Sequence, residues 1–236
     1  MRRRVIRAGL GLLLGALLTD VLGRQLGLGA LGGGPAQRPR LALTFDDGPG
    51  PQTERLLELL AQHHASATFF LTGERAEAQP ELVERLRAAG HQLESHGYTH
   101  RHAALLLPWQ EWPHLRWHPE PARTARLYRP PWGGHSLLTR WLARRAGVQV
   151  ALWTAESRDW LDLAPETLLD RLRPQLRPGA VLLLHDGPKR TLALLERLLP
   201  ELEARGLQAV RLDDLSPQRI GWSDGWRRAR QMWRQG

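Results

Sequence analysis

Short apolar runs alternate with longer segments of helical period along most of this chain. The runs Leu41 to Phe45, Ala67 to Leu71, His91 to Ser95, Arg126 to Arg129, Val148 to Trp153, Ala180 to His185 and Gln208 to Leu212 predict strands. A stretch such as AVLLL has no polar face, the pattern of strands buried on both sides in a parallel sheet. Between the runs, residues 52–64, 79–90, 136–147, 164–176 and 190–206 repeat apolar positions three and four apart and predict helices, several with Gly just past the end. This alternation implies parallel β/α units, and seven strands suggest a barrel lacking one unit. Residues 101–128 break the pattern: Pro108, Pro113, Pro119 and Pro121 predict that no regular helix forms there.

The two ends of the chain read differently. Residues 1–39 open with Arg2, Arg3, Arg4 and Arg7, followed by an uncharged apolar stretch from Ala8 to Leu18. That stretch is short for a membrane span and matches the positive head and apolar centre of an export signal. No small-x-small cleavage site stands out, so an uncleaved anchor with membrane contact is the alternative. The Gly-rich LGLGALGGGPAQRP, residues 26–39, then predicts a flexible tether. Residues 40–216 form the folded domain, and 217–236 a basic tail. Within the tail Trp222, Trp226 and Trp233 fall roughly on one helical face among Arg residues, suited to a membrane surface, an anionic wall polymer or packing across the barrel's open side.

Composition narrows the chemistry. With 236 residues and 42% hydrophobic content, the chain can bury one full-sized core. The net charge of +9 is concentrated at the ends: residues 1–40 carry seven Arg against one Asp, residues 217–236 five Arg against one Asp, and the middle 21 basic against 22 acidic residues. A nearly neutral body argues against a phosphate-tracking groove and a nucleic-acid partner. The chain has no Cys, so a metal would be held by His and carboxylates.

Active sites of such barrels lie at the C-terminal strand ends, and the polar residues predicted there form a chemical set. Asp46 and Asp47 follow the first strand, His96 and His100 the third, Arg129 the fourth, Glu156, Asp159 and Trp160 the fifth, and His185 and Asp186 close the sixth. Two imidazoles four residues apart lie on one side of a helical turn, and two His with a carboxylate make the open three-ligand site of a hydrolase metal. The spacing is not that of a zincin, because no Glu follows the first His.

The segments TFDDGP (44–49), HGYTH (96–100), RPPWG (129–133), ESRDW (156–160) and LLLHD (182–186) resemble, in order, the five motifs of the NodB-type polysaccharide deacetylases, carbohydrate esterase family 4. The resemblance spans residues 40 to 215. It implies an α/β fold, a distorted (β/α)7 barrel, that removes N-acetyl groups from amino sugars of peptidoglycan, chitin or a related glycan. It implies that Asp47, His96 and His100 hold one divalent ion, zinc first, with cobalt, nickel or manganese as alternatives. Asp46 is then the general base, His185 the general acid, Asp159 its orienting partner, and Arg129 the residue that aligns Asp46. The backbone N–H of Trp132 would hold the oxyanion, while Trp160, Leu183 and Pro131 would line the substrate pocket. Amide hydrolysis requires these parts: a water made nucleophilic near neutral pH, and an acid because an amine cannot leave as an anion.

Three positions depart from the family pattern: Gly97 where Ser or Thr is usual, Glu156 where Asp is usual, and Trp132 where Tyr is frequent. Trp109, Trp112 and Trp117, in the short segment before Arg129, are expected to pack on the barrel rim more than to stack on sugars. The resulting expectation is an exported or envelope-bound monomeric hydrolase acting on a glycan. Two other readings stand beside it: deacylation of a lipid-linked amino sugar or other small amide or ester, and a non-catalytic envelope module that binds glycan. A module that had lost catalysis should lack a ligand, the base or the acid, and this sequence keeps all of them.

Overall fold

A computed structural model of the chain describes residues 15, 18–103 and 106–234. It contains eight strands: β1 (Arg40–Gly48), β2 (Thr68–Leu71), β3 (Gln92–Ser95), β4 (Arg126–Tyr128), β5 (Val148–Val150), β6 (Ala155–Glu156), β7 (Val181–His185) and β8 (Gln208–Val210). Every pairing between them is parallel, in the order β5-β4-β3-β2-β1-β7-β6, with β8 alongside the first residues of β1. The helices are α1 (Thr53–Gln62), α2 (Gly73–Ala78), α3 (Pro80–Ala88), α4 (Pro108–Arg116), α5 (Leu137–Arg145), α6 (Pro165–Leu172), α7 (Lys189–Ala204) and α8 (Trp222–Arg234). This is the distorted (β/α)7 barrel. All seven predicted strands form, and the two-residue β6 is an addition too short to show a period.

Strand alternation sorts the side chains into two layers. Leu41, Leu43 and Phe45 of β1, with Leu182 and Leu184 of β7, join the layer that includes Leu56 and Leu60 of α1 and Leu194, Leu195 and Leu198 of α7. Ala42 of β1, Phe70 of β2, and Val181 and Leu183 of β7 belong to the other cluster, with Tyr128, Trp153, Val210 and Leu212. Asp46 has the parity of Ala42 and Thr44, and His185 that of Val181 and Leu183. Both therefore sit on the inner side, at the C-terminal ends of their strands.

The sheet's end strands, β5 and β6, do not pair with each other among the described residues. The seam beside β5 is occupied by both ends of the chain. Leu31 donates its N–H to the Val150 carbonyl at 2.9 Å and accepts from Leu152 N at 2.7 Å, while Ile220 N bonds Ala30 O at 2.8 Å. Leu26, Ala30, Leu31, Ile220 and Ala229 are buried. The Gly-rich stretch read as a flexible tether is therefore packed over residues 26–34. Gly32 explains part of its composition, since a Cβ there would lie 2.4 Å from Ile220 Cδ1. The basic tail forms α8, which buries Arg228 and Ala229 at this seam while Trp222 and Trp226 stay exposed, so the Trp face is not the one that packs. Most of the Ala8–Leu18 stretch lies outside the described residues, and no described helix is long and apolar enough to cross a membrane.

Residues 101–128 correct a second expectation, because α4 forms in the Pro-rich segment. Pro108 occupies the first turn, where an N–H has no intrahelical partner in any case. Pro119 and Pro121 fall beyond its end, so only Pro113 disturbs it, and the turn is braced by Leu107 N to Gln110 Oε1 at 3.0 Å and by burial of Leu115. The short β3–β4 connection is tied down by Glu94, fully buried, which accepts from Leu127 N at 2.6 Å and pairs with His118 at 2.9 Å and Arg123 at 3.2 Å.

Candidate active site

The strand ends surround a cleft of about 400 Å³ lined by Asp46, Asp47, His96, His100, Trp132, Trp153, Glu156, Trp160, Leu183, His185 and Arg24. Its key feature lies in β1. In a regular strand, neighbouring side chains point to opposite faces, yet both adjacent aspartates reach this one cleft. The β1–β2 register explains how: Asp46 pairs with Phe70 and Gly48 with Leu71, leaving Asp47 as a bulge. Asp47 adopts φ 70°, a left-handed conformation that Asp tolerates better than most residues. Asp46 stays buried at 3% exposure while Asp47 swings alongside it. The turn that follows packs against Asp186, whose carboxylate accepts from Gly50 N at 3.2 Å and from the Thr53 hydroxyl. Only glycine fits at position 50, because a Cβ would lie 2.4 Å from the Asp186 carbonyl.

Asp47 Oδ1 lies 3.4 Å from His96 Nε2 and 3.2 Å from His100 Nε2. Ligands about 2.0–2.1 Å from a tetrahedral metal are about 3.3–3.4 Å apart, so these separations match a shared ion of that size. Asp47 Oδ1 is also buried without a hydrogen-bond partner, as expected of an atom shaped for a cation. Burial alone would raise the Asp47 carboxyl, but the imidazoles of His100 and His96 outweigh it and hold it well below the usual carboxylate range. Gly97, between the two His, has φ +86°, a conformation in which the Ser or Thr usual in the family would be strained.

Asp46 is held differently. Its Oδ1 accepts from Arg129 Nη1 at 2.8 Å, and its Oδ2 is 3.9 Å from His96 Nδ1. Arg129 is fully buried, donates also to Thr44 Oγ1 at 2.7 Å, and has its guanidinium 4.0 Å over the Phe70 ring. Burial pushes the Arg129 pKa down, and the Asp46 carboxylate works against that shift. The two charges meet in the barrel floor, where removing one would strand the other.

His185 registers directly beside Asp46 in the sheet. Its Nδ1 is 2.7 Å from Asp159 Oδ1, while Asp159 Oδ2 accepts from His185 N at 2.8 Å and Thr191 Oγ1 at 2.7 Å. Burial would lower the imidazole pKa, but Asp159, with smaller contributions from Asp46 and Asp47, raises it to about 9. Trp160 stands edge-on to His185, ring centroids 5.0 Å apart, and Leu183 lines the cleft beside it.

Trp132 lies in the short 3-10 turn Pro131–Gly133 at φ 54°, a strained conformation for a bulky residue and of a kind that collects at functional sites. The turn's own hydrogen bonds use the N–H groups of Gly133 and Gly134 and leave that of Trp132 out. Its ring stands 4.2 Å from that of His100. The same turn buries Pro131, which does not line the cleft. Trp109, Trp112 and Trp117 are also outside it: Trp109 is exposed, and the other two pack partly against the core. Trp153 and Arg24 line the cleft without having been singled out in the sequence. Trp153 ends a predicted strand, so the strand-end rule itself would have found it; Arg24 lay in a segment set apart from the fold.

Residues 33–151 match the family model described as polysaccharide deacetylase. The chain is 33% identical over 196 residues to a peptidoglycan-N-acetylglucosamine deacetylase of Bacillus cereus, an alignment covering 77% of this chain and 90% of that one. The chain belongs to the polysaccharide deacetylase family. A chitooligosaccharide deacetylase of Sinorhizobium fredii is 32% identical over 191 residues, covering 71% of this chain and 87% of the relative. Among solved structures, the Bc1960 peptidoglycan N-acetylglucosamine deacetylase superposes with a TM-score of 0.73 at 26% identity, covering 80% of this chain and 93% of that one. The NodB-type deacetylase fold, carbohydrate esterase family 4, is thus the frame in which the cleft is read.

Proposed function

We propose that this protein is an exported, metal-dependent N-deacetylase that hydrolyses the acetamide of amino sugars in an envelope glycan of the peptidoglycan or chitin-like type. The observation that carries the reading is the pairing in one cleft of a three-ligand cluster, Asp47, His96 and His100, with a neighbouring carboxylate, Asp46, occupied by Arg129 and outside that cluster. Asp47, His96 and His100 would hold a divalent cation, zinc by its donor set of two nitrogens and one oxygen. When bound, that cation supplies Lewis acidity to the attacking water and the amide carbonyl.

The chain's own residues do the rest. Asp46, fixed by Arg129, takes the proton of the water that attacks the carbonyl carbon. The Trp132 N–H faces the oxygen on which negative charge develops; one such donor contributes about 2.7–4 kcal/mol to the transition state. His185, held by Asp159 through Nδ1, donates from Nε2 to the amide nitrogen as the C–N bond breaks. Acetate and the free amine leave. Trp160 and Leu183 take the acetyl methyl and exclude larger acyl groups. Relatives named for peptidoglycan and chitooligosaccharides support a glycan substrate and work outside the cytoplasm, in keeping with the basic and apolar N-terminus.

The test is acetate release from N-acetylated chitin oligomers and peptidoglycan. Activity should vanish on chelation, return with added zinc, and fall by about 10²–10⁴ in Asp46→Asn. Acetate release that persists in Asp46→Asn would refute the assignment of the base.

A further inference from the structure

The turn that carries Trp132 is fixed unevenly by its own sequence. On its N-terminal side Pro130 and Pro131 have φ locked by their rings. On the other side stand Gly133 and Gly134, the residue type with the freest backbone, and Gly133 at φ 67° directly follows Trp132 at φ 54°. A left-handed pair of this kind persists only where its surroundings over-determine it. Slack on the glycine side would swing the peptide of Trp132, whose N–H is the proposed oxyanion donor.

His135 and Arg140 take up that slack. The His135 imidazole is buried, with Nδ1 2.8 Å from the Gly133 carbonyl, and its Nε2 accepts from Arg140 Nε at 2.9 Å. A guanidinium only donates and a carbonyl only accepts, so the ring is neutral, carries its proton on Nδ1 and donates it to Gly133 O. The other tautomer would lose both bonds. Arg140 is itself anchored a second time, donating through Nη1 to the Leu28 carbonyl of the N-terminal segment. The same segment closes over the imidazole at Gly23, where a Cβ would lie 3.1 Å from the His135 carbonyl and 3.5 Å from Nε2. Trp153 closes the turn from another side, since a Cβ at Gly133 would lie 2.9 Å from its Cη2.

Neither His135 nor Arg140 lines the cleft, so neither touches the substrate. Resting on the deacetylase reading and its oxyanion donor, we infer that His135 is a positioning residue: with Arg140 setting its tautomer, it pins the glycine side of the turn and holds the Trp132 N–H where negative charge develops. Residues 23–28, through Gly23 and Leu28, thereby support the active site from outside the barrel.

The measurement is kcat and KM for acetate release from N-acetylated chitin oligomers and peptidoglycan, beside the zinc dissociation constant by competition with a chelating dye, all on the full chain. His135→Phe fills similar space without either ring nitrogen. Its kcat should fall about ten- to a hundredfold, the range expected when an oxyanion donor is displaced but not deleted. KM and zinc affinity should stay within about twofold, because the lost interaction forms only in the transition state. His135→Asn keeps an N–H at the place of Nδ1 and should recover most of kcat. Arg140→Leu, which releases the tautomer, should lower kcat several-fold with the same constancy of KM and zinc affinity. An unchanged kcat in His135→Phe overturns the assignment, as does a loss shared by KM or zinc affinity, or one that His135→Asn fails to repair. Should His135→Phe not fold, Arg140→Leu decides by the same split: a lower kcat alone supports the assignment, and an unchanged kcat overturns it. A wild type that releases acetate from neither glycan rejects the deacetylase reading itself, a result distinct from an active enzyme indifferent to His135.

Discussion

Asp46 and Asp47 show how a single inserted residue alters chemistry. Alternation places Asp46 inside the barrel beside Arg129 and would send its neighbour out under the helices. The bulge at Asp47 cancels that, so one carboxylate meets two imidazoles while the other keeps its guanidinium. At His185 the decisive contact is the 2.7 Å bond to Asp159. Because the folded-state pKa, about 9, lies above the ordinary 6.5, the stability from this pair is fully present below pH 6.5 and lost as pH rises through about 9. In the proposed mechanism the same proton is the one donated to the leaving amine, so the alkaline limb of kcat/KM should track it. Asp159→Asn should move that limb toward lower pH and reduce kcat, as read in a pH–rate profile. An unshifted limb would separate His185 from the acid role.

At the scale of elements, the strands and helices that carry the site were legible because each holds its period over enough residues. The seven predicted strands match the observed ones within a residue or two at most ends, and the polar residues at their C-terminal ends do converge. What was not legible has particular causes. β6 is two residues long, and α4 tolerates its prolines because only Pro113 lies past its first turn. Residues 26–34 look like a linker because their glycines, such as Gly32, are set by close packing that a one-dimensional pattern does not reveal. The seam gives a direct prediction. Leu31→Pro removes the N–H that bonds Val150 O and should cost about 1–3 kcal/mol, visible as a lowered midpoint of thermal or urea unfolding. A free tether at this position would leave the midpoint unmoved.

Across the whole molecule, charge and architecture divide the labour. The body is nearly neutral and builds the cleft, while the described parts of both end segments return to it: one supplies Arg24 and the other the buried Arg228, which bonds the Arg24 and Trp153 carbonyls. The five motifs legible in the sequence supply most of the residues that line the cleft. The one lining residue from outside the predicted domain, Arg24, comes from a segment without a regular pattern, which is why it was not legible in the sequence. The proposed chemistry depends on one ion shared by three residues from two separate strand ends, with a second carboxylate, that of Asp46, left outside its shell. The most direct test is anomalous scattering at the zinc edge from crystals grown with zinc. The account predicts one peak about 2.0–2.2 Å from atoms of Asp47, His96 and His100, with Asp46 still paired to Arg129. A peak that recruits Asp46 as a ligand, or one lying away from these three side chains, would contradict it.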